Sequence, residues 1–242
     1  MHLEYNNGKH SLIKEHRIKE VKDKMVKQPK AQFACNDCST LECRRGYPNG
    51  IPSYCLAARF PEIMEQTKSE YSAPGVIEVY KASGRVVANG YGRWPRIQEA
   101  IEFARELKLN KIGLASCIGL IRELGMVAEL FIGAGFDTIS ASCQIGKISP
   151  EARGVTVDVK DYRGLFCNPI AQAEILNREK TELNFILGLC LGHDILFSRY
   201  SKAPVSTLIV KDRVTGHNPA AALYSSFHHR ALQKLYCNKE KD

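Results

Sequence analysis

The chain has 242 residues, 44% of them hydrophobic and 25% charged, with a formal net charge of +8. That composition supports one or two packed domains and excludes wholesale disorder. The longest apolar region, residues 112–136, is broken by Arg122, Glu123 and Glu129. A membrane span needs about 20 nearly uncharged apolar residues, so none is expected. The first ten residues contain no apolar leader, and the expected location is the cytoplasm. Nine cysteines, an odd number, argue against a disulfide framework in that compartment and for metal or redox chemistry.

Residues 1–30 form a basic arm with eight Lys or Arg and four acids, half of the net charge. Ile18, Val21 and Met25 predict a helix over 11–27, ended by Gln28-Pro29. No aromatic residue interleaves with these lysines, so a solvated helix face is favoured over a nucleic-acid contact. Residues 31–66 are expected to be a Cys-rich metal-binding module, loop-rich over 33–62 and in need of a staple. Residues 67–242 are expected to be an α/β domain. Helices are expected near 76–88 and over 94–108, the second with Pro95 in its first turn. Strands follow at 111–116, 137–142, 183–189 and 205–211. Helices are expected between them at 119–132, 168–177 and 194–200. Asn168-Pro169 and Asn218-Pro219 read as helix openings, the latter starting a last helix. The span 154–160 is a further strand candidate. Alternation of this kind predicts a parallel sheet with helices on both faces.

The first cysteine constellation is Cys35-x2-Cys38-x4-Cys43-x11-Cys55. Four soft thiolate ligands within 21 residues, among Gly46, Pro48, Gly50 and Pro52, can converge on one metal. Arg44 and Arg45 would favour thiolates and offset their charge. Zinc sites usually pair two Cys-x2-Cys knuckles, and only one stands here. Three bunched cysteines with a distal fourth fit an iron–sulfur cluster at least as well. Iron–sulfur is the first expectation, and zinc at Cys35, Cys38, Cys43 and Cys55 is the alternative.

The second constellation is scattered. Cys117, Cys143 and Cys190 each follow a predicted strand, and Cys167 immediately precedes a helix opening. In a parallel sheet the carboxyl ends of the strands share one edge, where ligand sites form. Cys117, Cys143, Cys167 and Cys190 are therefore expected to converge on a second, cofactor-binding site. His193, Asp194, Lys211, Asp212, Arg213 and His217 fall on the same edge. There His193 could carry a proton, Arg213 could hold an anion, and Asp194 or Asp212 could orient either. Cys167 could instead be a nucleophile activated by the helix start and His193. The opposing expectation is that Asp194 only caps a helix and that Asp212 and Arg213 form a surface pair. Cys237, in a basic tail, is expected to be a bystander.

No P-loop, Gly-x-Ser-x-Gly elbow or His-Glu-x-x-His occurs, and Gly133-Ala-Gly135 ends a helix where a dinucleotide fingerprint would open one. The segment Cys-Asn-Asp-Cys-Ser-Thr-Leu-Glu-Cys-Arg-Arg-Gly (35–46) resembles the opening motif of a family of uncharacterised proteins proposed to bind metal, found mainly in anaerobic bacteria and archaea. The resemblance continues through residues 167–177, 189–194 and 210–219. It leaves the basic arm outside. It implies metal binding through the N-terminal cysteines, and the anaerobic setting favours iron–sulfur. The expected function is therefore metal binding with redox or sulfur chemistry at the sheet edge, with Cys167, His193, Asp194 and Arg213 as its working residues. The expected partners are a small anionic or sulfur-containing substrate and an electron-transfer partner, with no membrane. A non-catalytic zinc-stapled binding protein is the alternative.

Overall fold

In the computed structural model, residues 35–146, 148–149, 154 and 167–237 are described, Ser39 apart. The basic arm with its expected helix over 11–27, and the strand candidate at 154–160 but for Gly154, lie outside these residues. The chain divides into two compact units between residues 76 and 77.

The first unit carries 3-10 turns at Cys35–Asp37 and Glu42–Arg45, then helices α1 (Leu56–Arg59) and α2 (Pro61–Glu70). Within the stretch 33–62 expected to be loop-rich, the described residues of 35–55 hold only the two short 3-10 turns, and helix begins at Leu56. Pro61 occupies the first turn of α2, where its missing N–H is harmless. No described side chain of α2 is buried, so it carries no apolar stripe to betray it.

The second unit contains α3 (Val76–Gly90, but for its first residue), α4 (Arg96–Glu106), β1 (Lys111–Ser116), α5 (Ile121–Gly133) and β2 (Asp137–Ser142). It continues with α6 (Pro169–Arg178), β3 (Leu183–Leu187), α7 (His193–Tyr200), β4 (Val205–Ile209), α8 (Ala220–Tyr224) and α9 (Ser226–Tyr236). The four strands form one parallel sheet in the order β2-β1-β3-β4, with helices around it. This is the expected α/β fold. β1 and β2 occupy the expected residues. β3 ends two residues early, because Gly188 turns with φ 63° and the β3–β4 register slips at Ile186/Leu187. β4 also ends early, at Ile209. The single last helix expected after Pro219 is two helices. Ser225 leaves helical geometry (φ −72°, ψ 117°), and its hydroxyl accepts the His228 N–H to start α9.

Strand alternation sorts the core into two faces. On one face Ile112, Leu114, Leu183, Phe185 and Leu187 meet Ala100 and Ala104 of α4 and Leu124, Val127 and Phe131 of α5. Phe131 packs against Phe136 and Phe185, with ring centroids 5.8 and 5.4 Å away. On the other face Ala115 and Ile186 meet Ala173 and Leu176 of α6 and Phe197 of α7. Helix α6 approaches β1 closely because residue 113 is glycine. A Cβ there would stand 1.9 Å from Asn184 Oδ1 and 2.9 Å from a Leu176 methyl. The second face also contains Cys117, Cys143 and Cys167.

Candidate functional site

The sheet changes winding direction between β1 and β3. From β1 the chain crosses to β2 on one side, then returns past β1 to β3 and on to β4. The crevice outside the carboxyl ends of β1 and β3 is the place where open α/β sheets bind ligands. Residues 117–119 leave β1 there, and residues 188–190 leave β3.

Three of the four cysteines expected at this edge touch. Cys117, Cys143 and Cys167 are 7%, 1% and 4% exposed. Cys167 Sγ donates to Cys143 Sγ at 3.5 Å, and Cys117 shares a hydrogen bond with Cys143. Backbone N–H groups of the turn after β1 point at two of the sulfurs, Ile118 to Cys143 at 3.3 Å and Gly119 to Cys117 at 3.4 Å. The hydrogen bond to Cys143 and burial push the Cys117 thiol up to about 12, against the pull of the Gly119 N–H. Cys143 is drawn down by its bond with Cys117, but contact with Cys167 and burial hold it above its ordinary value. The fourth cysteine stands differently. Cys190 is half-buried and accepts a hydrogen bond from Arg213 Nη2 at 3.3 Å.

The helix openings place these groups. The Asn168 side chain accepts the Ala171 N–H at 3.2 Å, capping α6, while its own N–H donates to the Cys143 carbonyl at 2.6 Å. That pair of bonds fixes Cys167 beside Cys143. His193 opens α7, and its N–H donates to the Cys190 carbonyl at 2.9 Å. Asp194 Oδ1 accepts the N–H groups of Gly192 and Ile195 at 2.9 and 2.8 Å, so its carboxylate braces the first turn of α7. Asp212 is likewise a brace. It accepts the Val214 and Thr215 N–H groups at 2.9 and 3.1 Å, and its bonds with Thr215 and Val214 hold its carboxyl below the ordinary value. His217 Nδ1 accepts the Asp212 N–H at 3.1 Å.

One residue at this edge escapes a reading of motifs. Gln172 is fully buried, and its Nε2 donates to the carbonyls of Ser116 and Ala141 at 3.1 and 2.8 Å, joining β1 and β2 just before their cysteines. Its signal was a polar residue in the apolar stripe Pro169, Gln172, Ala173, Leu176. Lys211 stands beside Cys117. A methyl placed on Gly119 would lie 3.5 Å from Lys211 Nζ and 3.7 Å from Cys117 Sγ.

The N-terminal constellation lies in the first unit. Cys35 and Cys43 are exposed, and Cys38 and Cys55 are half-buried. The Cys38 N–H donates to the Cys35 carbonyl at 3.3 Å, closing a tight turn. Cys38 is held below its ordinary value by the backbone N–H of Leu41, then by the Thr40 hydroxyl and N–H. Cys55 is held low by the Tyr47 hydroxyl, 3.5 Å from its sulfur, and by the N–H groups of Ala57 and Ala58. Tyr47 is pushed up to about 12 by its bond with Cys55, by desolvation, and by the charges of Cys55, Cys43 and Cys35. The phenol thus touches Cys55 and lies within electrostatic reach of Cys43 and Cys35, and Cys55 feels the fourth thiol, Cys38. Among the described residues, no three Cys, His, Asp or Glu side chains are arranged as a ready-made metal cage. No helix among them is long and apolar enough to cross a membrane.

Residues 55–208 match the model of a family described as "Protein of unknown function (DUF1847)". The chain belongs to this family. It is also 37% identical, over 201 residues, to the uncharacterised protein MJ0455 of Methanocaldococcus jannaschii. That match covers 83% of the chain and 97% of the relative. The family span contains Cys55 and all four edge cysteines, whereas Cys35, Cys38 and Cys43 precede it and Lys211 and Arg213 follow it.

Proposed function

We propose that the carboxyl edge of the sheet is a soft-metal centre, iron–sulfur in the first place, serving redox or sulfur chemistry on a small substrate. The observation that carries this reading is the contact of Cys167 with Cys143 at 3.5 Å, with Cys117 bonded to the same sulfur and all three buried. The donor set suits such a group. Three thiols are soft ligands, and the Ile118 and Gly119 N–H groups favour the charged form of two of them. Cys117, Cys143 and Cys167 would hold the group, whose chemistry is electron transfer or, with one iron left open, binding of sulfur. Gln172 fixes the spacing of the two strand ends, and Arg213 holds Cys190 and anionic charge nearby. In the same reading the thiols of Cys35, Cys38, Cys43 and Cys55 hold a second metal.

The experiment is an anaerobic analysis of iron, zinc and acid-labile sulfide with a visible spectrum, on wild type, Cys35→Ser/Cys38→Ser and Cys143→Ser. The expected result is about four iron and four sulfide that survive the first substitution and are lost in Cys143→Ser. Colourless protein, with zinc lost in Cys35→Ser/Cys38→Ser and untouched in Cys143→Ser, overturns the edge centre. It supports the second reading, a non-catalytic zinc-stapled binding protein. One observation favours that reading: no described side chain of the first unit is fully buried, so that unit needs a staple.

A further inference from the structure

We propose that Cys143 and Cys167 are a disulfide-forming pair, oxidised together by hydrogen peroxide while Cys117 stays a thiol. The inference deepens the redox reading of the carboxyl edge, and it does not rest on which metal that edge holds.

The geometry of the pair carries it. Among the described residues no cysteine is in a disulfide, and the sulfurs of Cys143 and Cys167 stand 3.5 Å apart. A disulfide needs sulfurs about 2.05 Å apart and Cα atoms about 4.4–6.8 Å apart. The main chains are already tied side by side. The N–H of Asn168, the residue after Cys167, donates to the Cys143 carbonyl at 2.6 Å. On its other side the Cys143 N–H donates to the Ser116 carbonyl at 2.8 Å, and Gln172 Nε2 bonds the carbonyls of Ser116 and Ala141. With the backbone held at these points, side-chain rotation is what closes the two sulfurs.

The surroundings sort the three thiols. Cys143 is central. Its sulfur accepts the Ile118 N–H at 3.3 Å and the Cys167 S–H, and it shares a hydrogen bond with Cys117. Donors around a sulfur favour its thiolate, so Cys143 is the sulfur that attacks. Cys117 is held from the other side, by the Gly119 N–H at 3.4 Å. Burial selects the oxidant. Cys143 and Cys167 are 1% and 4% exposed, so a small uncharged molecule reaches them and a bulky charged disulfide does not.

The step balances. The Cys143 thiolate attacks one oxygen of hydrogen peroxide, the O–O bond breaks, and the departing hydroxide takes up the proton that Cys143 gave up, leaving as water. Cys143 is then a sulfenic acid. The Cys167 sulfur attacks the Cys143 sulfur, the S–O bond breaks, and the hydroxide leaves as water with the Cys167 proton. Two thiols and one peroxide give one disulfide and two waters. The sulfurs lose two electrons and the peroxide oxygens gain them.

The test is a time course of hydrogen peroxide on the metal-free full chain, quenched in acid, alkylated after unfolding and read by peptide mass mapping. The Cys143–Cys167 linkage is expected to exceed Cys117–Cys143 at least about tenfold, with Cys117 recovered as an alkylated thiol. In urea-unfolded protein the share of Cys143–Cys167 is expected to fall at least about tenfold. Oxidised glutathione is expected to form the linkage at least about tenfold more slowly than peroxide in the folded chain. Cys117→Ser should keep the linkage. Cys117→Ser/Cys167→Ser should stop at the Cys143 sulfenic acid, which dimedone captures. Absence of the linkage in folded protein, an equal share in urea, Cys117–Cys143 as the main product, or glutathione as fast as peroxide each overturns the proposal. Wild-type mapping decides it even where a variant fails to fold. The linkage in protein that takes up no edge metal keeps the pair and loses the metal. Edge metal in protein whose metal-free form never links Cys143 to Cys167 keeps the metal and loses the pair.

Discussion

Cys38 and Cys55 lie in a unit whose described residues include no fully buried side chain, and hydrogen-bond donors hold their thiols toward the charged form. Cys117 and Cys143 lie in a packed core beside Leu120, Ile186 and Leu189, and their mutual contacts and burial hold them toward the neutral form. The same residue type is thus prepared in two ways. In the proposed reading the first set would take up a cation, which would add cohesion to a unit with no fully buried described side chain. The second set is part of a core that is complete without one, and a cation entering it must displace protons from buried sulfur. A metal at the first site is mainly a matter of folding. A metal at the second is a matter of chemistry, because the fold does not require it.

Thiol labelling of metal-free protein gives the largest difference between the two sets. At pH 8, alkylation of Cys117 by iodoacetamide is expected to be slower than that of Cys38 or Cys55 by on the order of a thousandfold, from its small thiolate fraction and its burial. Peptide mass mapping over a time course reads it, and comparable rates would erase the contrast. The sign of the linkage is also fixed. A thiol raised from 9.0 to about 12 in the folded state contributes stability that is fully present below about pH 9 and lost as pH climbs toward about 12. Urea midpoints of the metal-free second unit should fall across that window. A midpoint that rises there contradicts the buried-thiol account.

Chelation sharpens the comparison next. Limited trypsin digestion of metal-loaded protein should cut slowly after Arg44, Arg45 and Arg59. Cleavage at those sites should be at least about tenfold faster once a chelator is added. Sites in the second unit such as Arg122 and Arg178 should change little, since Phe131, Phe185 and Phe197 of that unit are fully packed with no metal present. Equal acceleration in both units would mean that the edge thiols also carry a structural metal.

Much of the second unit was legible because its elements announce themselves locally. The segments at 111–116 and 137–142 are bounded by helix signals and occupy β1 and β2 as expected, and Asn168-Pro169 opens α6 by cap and ring geometry alone. From strand order and helix starts it followed that Cys117, Cys143 and Cys167 share an edge. Their direct contact, and the separate pairing of Cys190 with Arg213, depend on side-chain reach across strands, which spacing does not encode. Lys211 was read on that edge, but its approach to Gly119, on another strand's exit, was not. In the first unit, α2 was missed because a helix with no buried face has no stripe to read. Tyr47 was missed because its bond to Cys55 spans a turn built by Gly46 and Gly50 at positive φ.

The cap of α6 gives the smallest effect and the finest discrimination within the buried set. Asn168→Ala removes the acceptor of the Ala171 N–H and should lower the urea stability of the second unit by about 1 kcal/mol, while Asn168→Asp should restore most of it. The backbone bond from residue 168 to the Cys143 carbonyl survives either substitution, so Cys143 should stay where it is. Cys167, by contrast, sits outside the first turn of α6 and depends on how firmly that turn is closed. Its alkylation in Asn168→Ala should therefore rise, with that of Cys117 unchanged. If the two rates rise together, the three thiols move as one body, and the cap governs the whole cluster rather than the position of a single ligand.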